Sequence, residues 1–281
     1  PDDLAIKITE LREITEWKVP IFVKIAGARP FYDTALAVKA GADVVVLDGM
    51  QGGTAATQEV FIENVDAFNR FPIDQPLLEN KDLIKDKNAI PYDLSKADAQ
   101  RVVLEYCNNG LEASIIHPVN IFGPYDYKVG LGTEGLLDLA NGKTPRLPNW
   151  GYNYVDVRDL SKTAISAIEK GRNGQNYLVA GEYRSFIELG QMIGEALGKD
   201  IVKGSIPGFL AYLLVPFSYI NSVRNGKPST RTLDTIHTGK TGNKLVPSTL
   251  AREELNHNPR PIMETVIDFV KFYSDRGLIK I

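Results

Sequence analysis

A single cysteine, Cys107, excludes an internal disulfide. Three scattered histidines, His117, His237 and His257, show no metal-ligand spacing. Charge of one sign is also missing. Lys and Arg total 32 against 35 Asp and Glu, for a net charge of −3 and a pI near 5.8. That balance gives no electrostatic reason to expect nucleic acid or an anionic membrane as partner. No apolar run is long enough to cross a bilayer, which takes roughly 20 residues. The longest, Gly208-Phe-Leu-Ala-Tyr-Leu-Leu-Val-Pro-Phe-Ser-Tyr-Ile220, is broken by Pro216 and reads as a buried helix lining a substrate pocket. With no secretory leader visible, the expectation is a cytoplasmic protein that acts on a small molecule. Pro1 in place of an initiating methionine reads as a fragment or a processed chain. The most consequential absence is a glycine-rich turn able to bring backbone against a pyrophosphate. At the first strand-to-helix junction, Ala26-Gly-Ala-Arg29 carries one glycine.

What is present suits an ordinary α/β protein. The 281 residues are 43% hydrophobic and 24% charged, enough for one large domain or two modest ones. Residues 2–15 read as an amphipathic helix with Asp2 and Asp3 at its start. Residues 20–25 and 43–47 read as short buried strands, separated by a helix over 31–40 that stops at Gly41. Strand, helix and strand in that order predict a right-handed parallel βαβ unit. Beyond Asp66 the texture becomes loop-rich, and a long helix then runs from about Tyr92 to Asn108, closed by Gly110. A strand over 112–117, a loop over 118–124, a helix over 159–170 and a strand over 175–180 follow. Ser185-Phe-Ile-Glu188 forms a capping box that opens a helix to Leu197. Two helices close the chain, over 248–255 and 260–276. The fold class is therefore α/β: a parallel sheet with flanking helices, Rossmann-like but incomplete, plus a smaller, mostly helical C-terminal region.

Tyr92 and Lys96 lie four positions apart on the predicted helix, so they share a face. A free phenol titrates near 10. A neighbouring ammonium favours the phenolate and brings proton exchange toward neutral pH, which suits carbonyl and alcohol chemistry. The bare spacing is common by chance in a chain with 12 tyrosines. Its context is not. The runs Tyr92-Asp-Leu-Ser-Lys-Ala-Asp-Ala-Gln100 and Gly110-Leu-Glu-Ala-Ser-Ile-Ile-His-Pro-Val-Asn-Ile-Phe-Gly-Pro124 resemble the active-site helix and following strand of the extended short-chain dehydrogenase/reductases, the NAD-dependent epimerase/dehydratase family. Asn153-Tyr-Val-Asp-Val-Arg-Asp-Leu160, Gln175-Asn-Tyr-Leu-Val-Ala-Gly181, Ala251-Arg-Glu-Glu-Leu255 and Asn258-Pro-Arg-Pro261 continue that resemblance, which covers about residues 66–281. It implies NAD or NADP as cofactor, Tyr92 as general acid/base and Lys96 as its electrostatic partner and ribose anchor. It places His117, Pro118 and Asn120 on the nicotinamide side and the substrate region at about 125–150 and 183–281. A possible homodimer is also implied. Where the family carries a hydroxyl residue before its active-site helix, this chain has Glu63 and Asn64. Asp48, about twenty residues after Gly27, stands where a ribose-binding acid would, without the turn glycines.

The first 65 residues carry a different resemblance. Asp2-Asp-Leu-Ala-Ile-Lys-Ile8, Val19-Pro-Ile-Phe-Val-Lys-Ile25, Ala40-Gly-Ala-Asp-Val-Val-Val-Leu-Asp-Gly-Met-Gln-Gly-Gly-Thr54 and Gln58-Glu-Val-Phe-Ile62 are similar to the FMN-binding (β/α)8 domain of glutamate synthases. By that resemblance Lys24 and the Gly52-Gly53-Thr54 loop would lie at the carboxyl ends of strands, where barrel chemistry sits, with FMN as the alternative cofactor. The two resemblances meet near Val65/Asp66 without a linker, which reads as a chimera of two truncated α/β proteins.

Overall fold

The computed structural model describes residues 2–26, 30–48, 75–79, 83, 91–210, 212, 213, 215, 216, 236, 239, 240 and 242–280. Its side-chain description omits residues 26, 30, 31, 47, 48, 91, 92 and 95. The chain opens with α1 (Asp2–Ile14), β1 (Phe22–Ala26), α2 (Pro30–Lys39) and β2 (Val44–Asp48). Acidic residues in the first turn of α1 and Arg12 in its last complement the helix dipole. The connection after α2 turns at Gly41, whose φ of +96° is the left-handed conformation that glycine adopts without strain. β1 and β2 pair in parallel, from Phe22 opposite Val44 to Ala26 opposite Asp48. Arg12 donates to the Gly41 carbonyl at 2.7 Å and to Asp43 Oδ1 at 2.9 Å, and Asp43 Oδ2 accepts from the Ile21 amide at 2.7 Å. α1 is thus tied to the entry of both strands.

These strands are less buried than the sequence suggests. Alternation and register put Phe22, Lys24 and Val46 on one face of the pair, and that face is open: Phe22 is 46% and Val46 40% exposed. Continuous apolar runs signal parallel strands covered on both faces. α2 packs against this pair, and the face bearing Phe22 and Val46 stays open to solvent.

The remainder comprises α3 (Pro91–Asn108), β3 (Ile115–Pro118), β4 (Asn120–Phe122), α4 (Leu131–Ala140), β5 (Arg146–Pro148), β6 (Gly151–Asp156), α5 (Val157–Lys170), β7 (Asn176–Val179), β8 (Glu182–Ser185), α6 (Phe186–Leu197), β9 (Gly204–Ile206), α7 (Thr249–Glu254) and α8 (Ile262–Asp275). Among the described residues the strands form four ladders: β1-β2, β3-β7, β4-β6-β8 and β5-β9. All are parallel except β6 with β8. The loop expected over 118–124 is shorter than predicted. β3 runs through Pro118, the buried Val119 donates to the Val179 carbonyl at 3.1 Å, and the chain then steps across to pair β4 with β6. Gly123 ends this strand at φ +137°. At Gly151 a Cβ would fall 2.0 Å from the Arg184 carbonyl oxygen, so only glycine lets β6 approach β8 here.

Two larger clusters form the core. One joins Phe122, Tyr152 and Tyr154 to Leu189 and Ile193 of α6 and Val266, Phe269 and Tyr273 of α8. The other joins Val119, Val155 and Tyr177–Ala180 to Ala251 and Leu255. α6 begins with the predicted box: Ser185 Oγ accepts from the Glu188 amide, and the Glu188 carboxylate accepts from the Ser185 amide. Among the described residues no helix is long and apolar enough to cross a membrane, and no cluster of His, Cys, Asp and Glu could hold a metal ion.

Candidate active site

α3 opens on Pro91, a residue suited to the first helical position because its missing N–H would have no partner there anyway. Tyr92 follows, one turn before Lys96, and Lys96 is one turn before Gln100. The Tyr92 side chain lies outside the described residues. Gln100 is buried and fixes which face of α3 meets the sheet. Its Nε2 donates to Asn176 Oδ1 at 2.5 Å, and His117 Nε2 donates to the same oxygen at 3.0 Å. The buried His117 is thereby a strand residue held between β7 and α3. Lys96, four residues from Gln100, is half-buried on that face.

After α3 the chain reverses and runs back along the helix as β3 and β4. Eighteen helical residues rise about 27 Å, and the eight residues 115–122 extend about 26 Å. The carboxyl end of this strand pair therefore returns to the level at which α3 begins. In parallel α/β folds ligands bind at such carboxyl ends. The topology thus brings Tyr92 and Lys96 to the same end of the layer as Pro118 and Asn120. Pro118 is buried opposite Val179, and Asn120 is half-buried opposite Tyr154.

A buried ionic network fixes the far side of β4. Asp156 caps α5 by accepting from the Arg158 amide at 2.8 Å. It also accepts from Arg158 Nε at 2.9 Å, Arg158 Nη2 at 2.6 Å and Thr265 Oγ1 at 2.8 Å. Burial pushes the Asp156 carboxyl up, but the Arg158 and Thr265 hydrogen bonds outweigh it and hold the pKa below the ordinary aspartate value. Asp159 follows the same pattern: burial raises it, and paired hydrogen bonds from Arg260 at 2.7 and 2.9 Å bring it down. Nearby, His257 is buried. Since the Ala180 carbonyl can only accept, Nε2 donates to it at 2.8 Å, and Nδ1 lies 2.8 Å from Thr163 Oγ1, which also donates to the Asp159 carbonyl at 2.9 Å. Burial lowers the His257 pKa by disfavouring the charged ring. Following β4, Asp126 accepts from the amides of Val129 at 3.0 Å and Gly130 at 2.8 Å, fixing a loop in which Tyr125 and Val129 have positive φ.

The other predicted site residues fall in the N-terminal part of the chain. Lys24 is an exposed mid-strand residue of β1 rather than a strand-end one, because β1 extends to Ala26. Gly52, Gly53 and Thr54, like Glu63 and Asn64, lie outside the described residues. Three residues join β1 to α2, one of them glycine. α2 begins on Pro30, which has no N–H to offer, and carries Asp33 in its first turn. A helix N-terminus holds a pyrophosphate through free amides and a positive dipole end. A proline and a carboxylate in that turn oppose both, so the residues present do not fit a dinucleotide pyrophosphate. The residues that sequence reasoning missed are Gln100 and Asn176. The one signal for Gln100 was its place eight residues after Tyr92 on the same stripe.

Comparison with known proteins finds one set of relatives for the N-terminal part of the chain and another for the rest. The profile of the conserved region in glutamate synthase matches residues 1–88. The glutamate synthase large subunit-like protein of Rhizobium meliloti is 85% identical over 65 residues, 23% of this chain and 15% of that protein. Sterol demethylase protein B of Methylococcus capsulatus is 27% identical over 193 residues, 67% of this chain and 58% of that protein. The chain is thus similar to two sets of proteins. The N-terminal part is glutamate synthase-like, and over the rest the similar proteins are NAD-dependent epimerases, dehydratases and reductases. Among solved structures, a nucleoside-diphosphate-sugar epimerase from Pseudomonas aeruginosa superposes with a TM-score of 0.62 at 19% identity, covering 89% of this chain and 72% of that one. That likeness shows a Rossmann-type α/β fold. It covers more of the chain than residues 66–281 alone amount to, so it extends into the first 65 residues.

Proposed function

We propose that the chain after about residue 65 is the proton-transfer and substrate-binding part of an NAD(P)-dependent oxidoreductase or epimerase of the extended short-chain dehydrogenase/reductase type. It is joined near Val65/Asp66 to a glutamate synthase-like unit that supplies no dinucleotide cradle, so the 281-residue chain does not turn substrate over. In this reading Tyr92 exchanges a proton with the carbonyl or hydroxyl oxygen of a small-molecule substrate. Lys96 lowers the phenol's pKa so that the exchange can occur near neutrality. Gln100, through Asn176, holds α3 against β3 and β7 and so sets the helix that carries the pair. The observation that carries the reading is the β1–α2 connection, with one glycine, Pro30 at the helix start and Asp33 in the first turn. Each charge-assisted hydrogen bond to a phosphate contributes about 1.5–3 kcal/mol, so losing two weakens binding by about 3–6 kcal/mol, or roughly 10²- to 10⁴-fold. Titrating NADH and NADPH against the purified chain tests this through nicotinamide fluorescence. No shift is expected at micromolar cofactor. A micromolar shift that disappears in Tyr92→Phe/Lys96→Ala would overturn it.

FMN is the second cofactor class, favoured by 85% identity over 65 residues to a glutamate synthase large subunit-like protein. A purified protein with flavin absorbance would support that reading. Sequencing the source DNA across codons 55–75 tests the join. An uninterrupted reading frame supports one continuous chain, and a frame break there contradicts it.

A further inference from the structure

Four Asn-Gly pairs occur in the sequence: Asn109-Gly110, Asn141-Gly142, Asn173-Gly174 and Asn225-Gly226. The last lies outside the described residues. In such a pair the glycine nitrogen, with no Cβ beside it, can reach the side-chain carbonyl carbon of the asparagine. The fold holds the three described pairs differently. Asn109 and Asn141 each follow a helix in the same backbone motif. After α3 the Leu111 amide donates to the Tyr106 carbonyl at 3.0 Å and the Gly110 amide to the Cys107 carbonyl at 3.3 Å. After α4 the Lys143 amide donates to the Asp138 carbonyl at 2.8 Å and the Gly142 amide to the Leu139 carbonyl at 2.9 Å. The side chains are held unequally. Asn141 is half-buried: its Nδ2 donates to the Leu137 and Leu278 carbonyls, both at 2.9 Å, and its Oδ1 accepts from the Lys280 amide at 2.9 Å. Asn109 is exposed, and among the described residues its side chain makes one hydrogen bond, from Nδ2 to the Glu105 carbonyl at 3.0 Å. Asn173 is also exposed, but its Oδ1 accepts from the Ala113 amide at 2.9 Å. The Gly174 amide is in turn held by the Ala113 carbonyl at 2.7 Å.

We propose that Asn109 is a site of spontaneous covalent modification, deamidating through its own backbone while Asn141 and Asn173 are protected by the fold. The Gly110 nitrogen forms a bond to Asn109 Cγ and gives up its proton. The Cγ–Nδ2 bond breaks, and Nδ2 takes up a proton and leaves as ammonia. Water then opens the resulting succinimide. Attack at Cγ gives aspartate, and attack at the Asn109 backbone carbonyl carbon gives isoaspartate, whose chain runs through Cγ. Asn109 reaches this geometry by exchanging one exposed hydrogen bond for water and releasing the long Gly110 bond at a helix end, where backbone opens most readily. A Cβ at Gly110 would meet nothing within 4 Å, so there is room for the ring. Either product sets a carboxylate at the negative end of the α3 dipole, and the last turn of α3 carries no basic residue to offset it. Isoaspartate also adds a methylene to the backbone between Tyr106 and Leu111, whose hydrogen bond closes the helix. The modification thus frays the far end of the helix that begins with Pro91 and Tyr92.

The test is peptide mapping by mass spectrometry of the full chain aged at neutral pH, with isoaspartate labelled by an isoaspartyl methyltransferase. Opening Asn141 breaks two more side-chain hydrogen bonds than opening Asn109. Product at 109 is therefore expected to accumulate at least about tenfold faster than at 141, and faster than at 173. In urea the three pairs are expected to react at similar rates, because each asparagine precedes a glycine. Asn109→Gln, which cannot close the five-membered ring, is expected to remove the product at 109 while leaving the circular dichroism spectrum unchanged. Hydrogen exchange at the Leu111 amide is expected to quicken in the aged wild type and not in the aged variant. Native rates at 109 no faster than at 141 or 173 overturn the proposal. So does the same ranking in urea, which would assign the difference to local sequence rather than to the fold.

Discussion

Asp156→Asn alters one atom type at the most densely bonded buried carboxylate described. Asp156 is 3% exposed and accepts from the Arg158 amide, two Arg158 guanidinium nitrogens and Thr265. Asparagine retains a capping oxygen, so the α5 N-cap survives. The second oxygen, Oδ2, becomes an amide NH2 that cannot accept from Arg158 Nη2, whereas the Thr265 hydroxyl, which donates to Oδ2, can rotate to accept from it. One charge-assisted hydrogen bond, about 1.5–3 kcal/mol, is lost. Removing one partner of a buried pair costs about 3–5 kcal/mol. Arg158 is partly exposed and keeps Asp268 at 2.6 Å, which argues for the lower end. The expected loss is about 2–3 kcal/mol, a fall of about 4–12 °C in Tm for a domain of this size. Asp156→Ala also removes the cap, at about 1 kcal/mol more. Urea and thermal unfolding followed by circular dichroism measure both, and the same substitutions combined with Arg158→Met give the coupling between the pair. A wild-type-like midpoint for Asp156→Asn would refute the network as a source of stability.

Ser185→Ala removes one half of a complete capping box and is expected to cost about 1 kcal/mol, read as a shift in urea midpoint at constant slope. His257 titrates below its ordinary value because burial disfavours the charged ring. Below about pH 6.5 the unfolded chain takes up a proton that the folded one resists, so stability falls as pH drops through that value. Unfolding midpoints at successive pH values should show the slope, and His257→Gln should flatten it; an unchanged slope would contradict the assignment. The Asp156 pKa is lowered, so its contribution is present above about pH 4 and is lost as pH falls below that value toward its folded pKa.

Features written in local code were readable from the chain. The capping box at Ser185 and the positive-φ stops at Gly41 and Gly110 each depend on neighbours within a few residues, and all three stand as expected. The α/β class and the parallel pairing of β1 with β2 followed from the order of apolar runs. Features decided by distant partners were not readable. β4 looked like a loop between Pro118 and Pro124, and is a strand because β6 lies beside it. β5 and β9 are three residues each, too short to show a period. An apolar run does not say whether it faces a core or a solvent boundary, which is why the run 208–220 was read as a buried helix although Phe209, Leu210, Tyr212 and Leu213 are exposed. The clearest failures at the site were Gln100 and Asn176. They are ordinary polar residues 76 apart in the chain, made significant by one shared oxygen.

The central proposal is that α3 and its strands form a proton-transfer scaffold and that the N-terminal segment supplies no cofactor cradle. Its most direct test compares NADH affinity of the 281-residue chain with that of a graft. In the graft, residues 1–65 are replaced by a strand–glycine turn–helix dinucleotide-binding unit. The graft is expected to bind NADH at least about a hundredfold more tightly than the chain, the lower bound set by two recovered phosphate hydrogen bonds. Equal affinities for the two folded proteins would contradict the account.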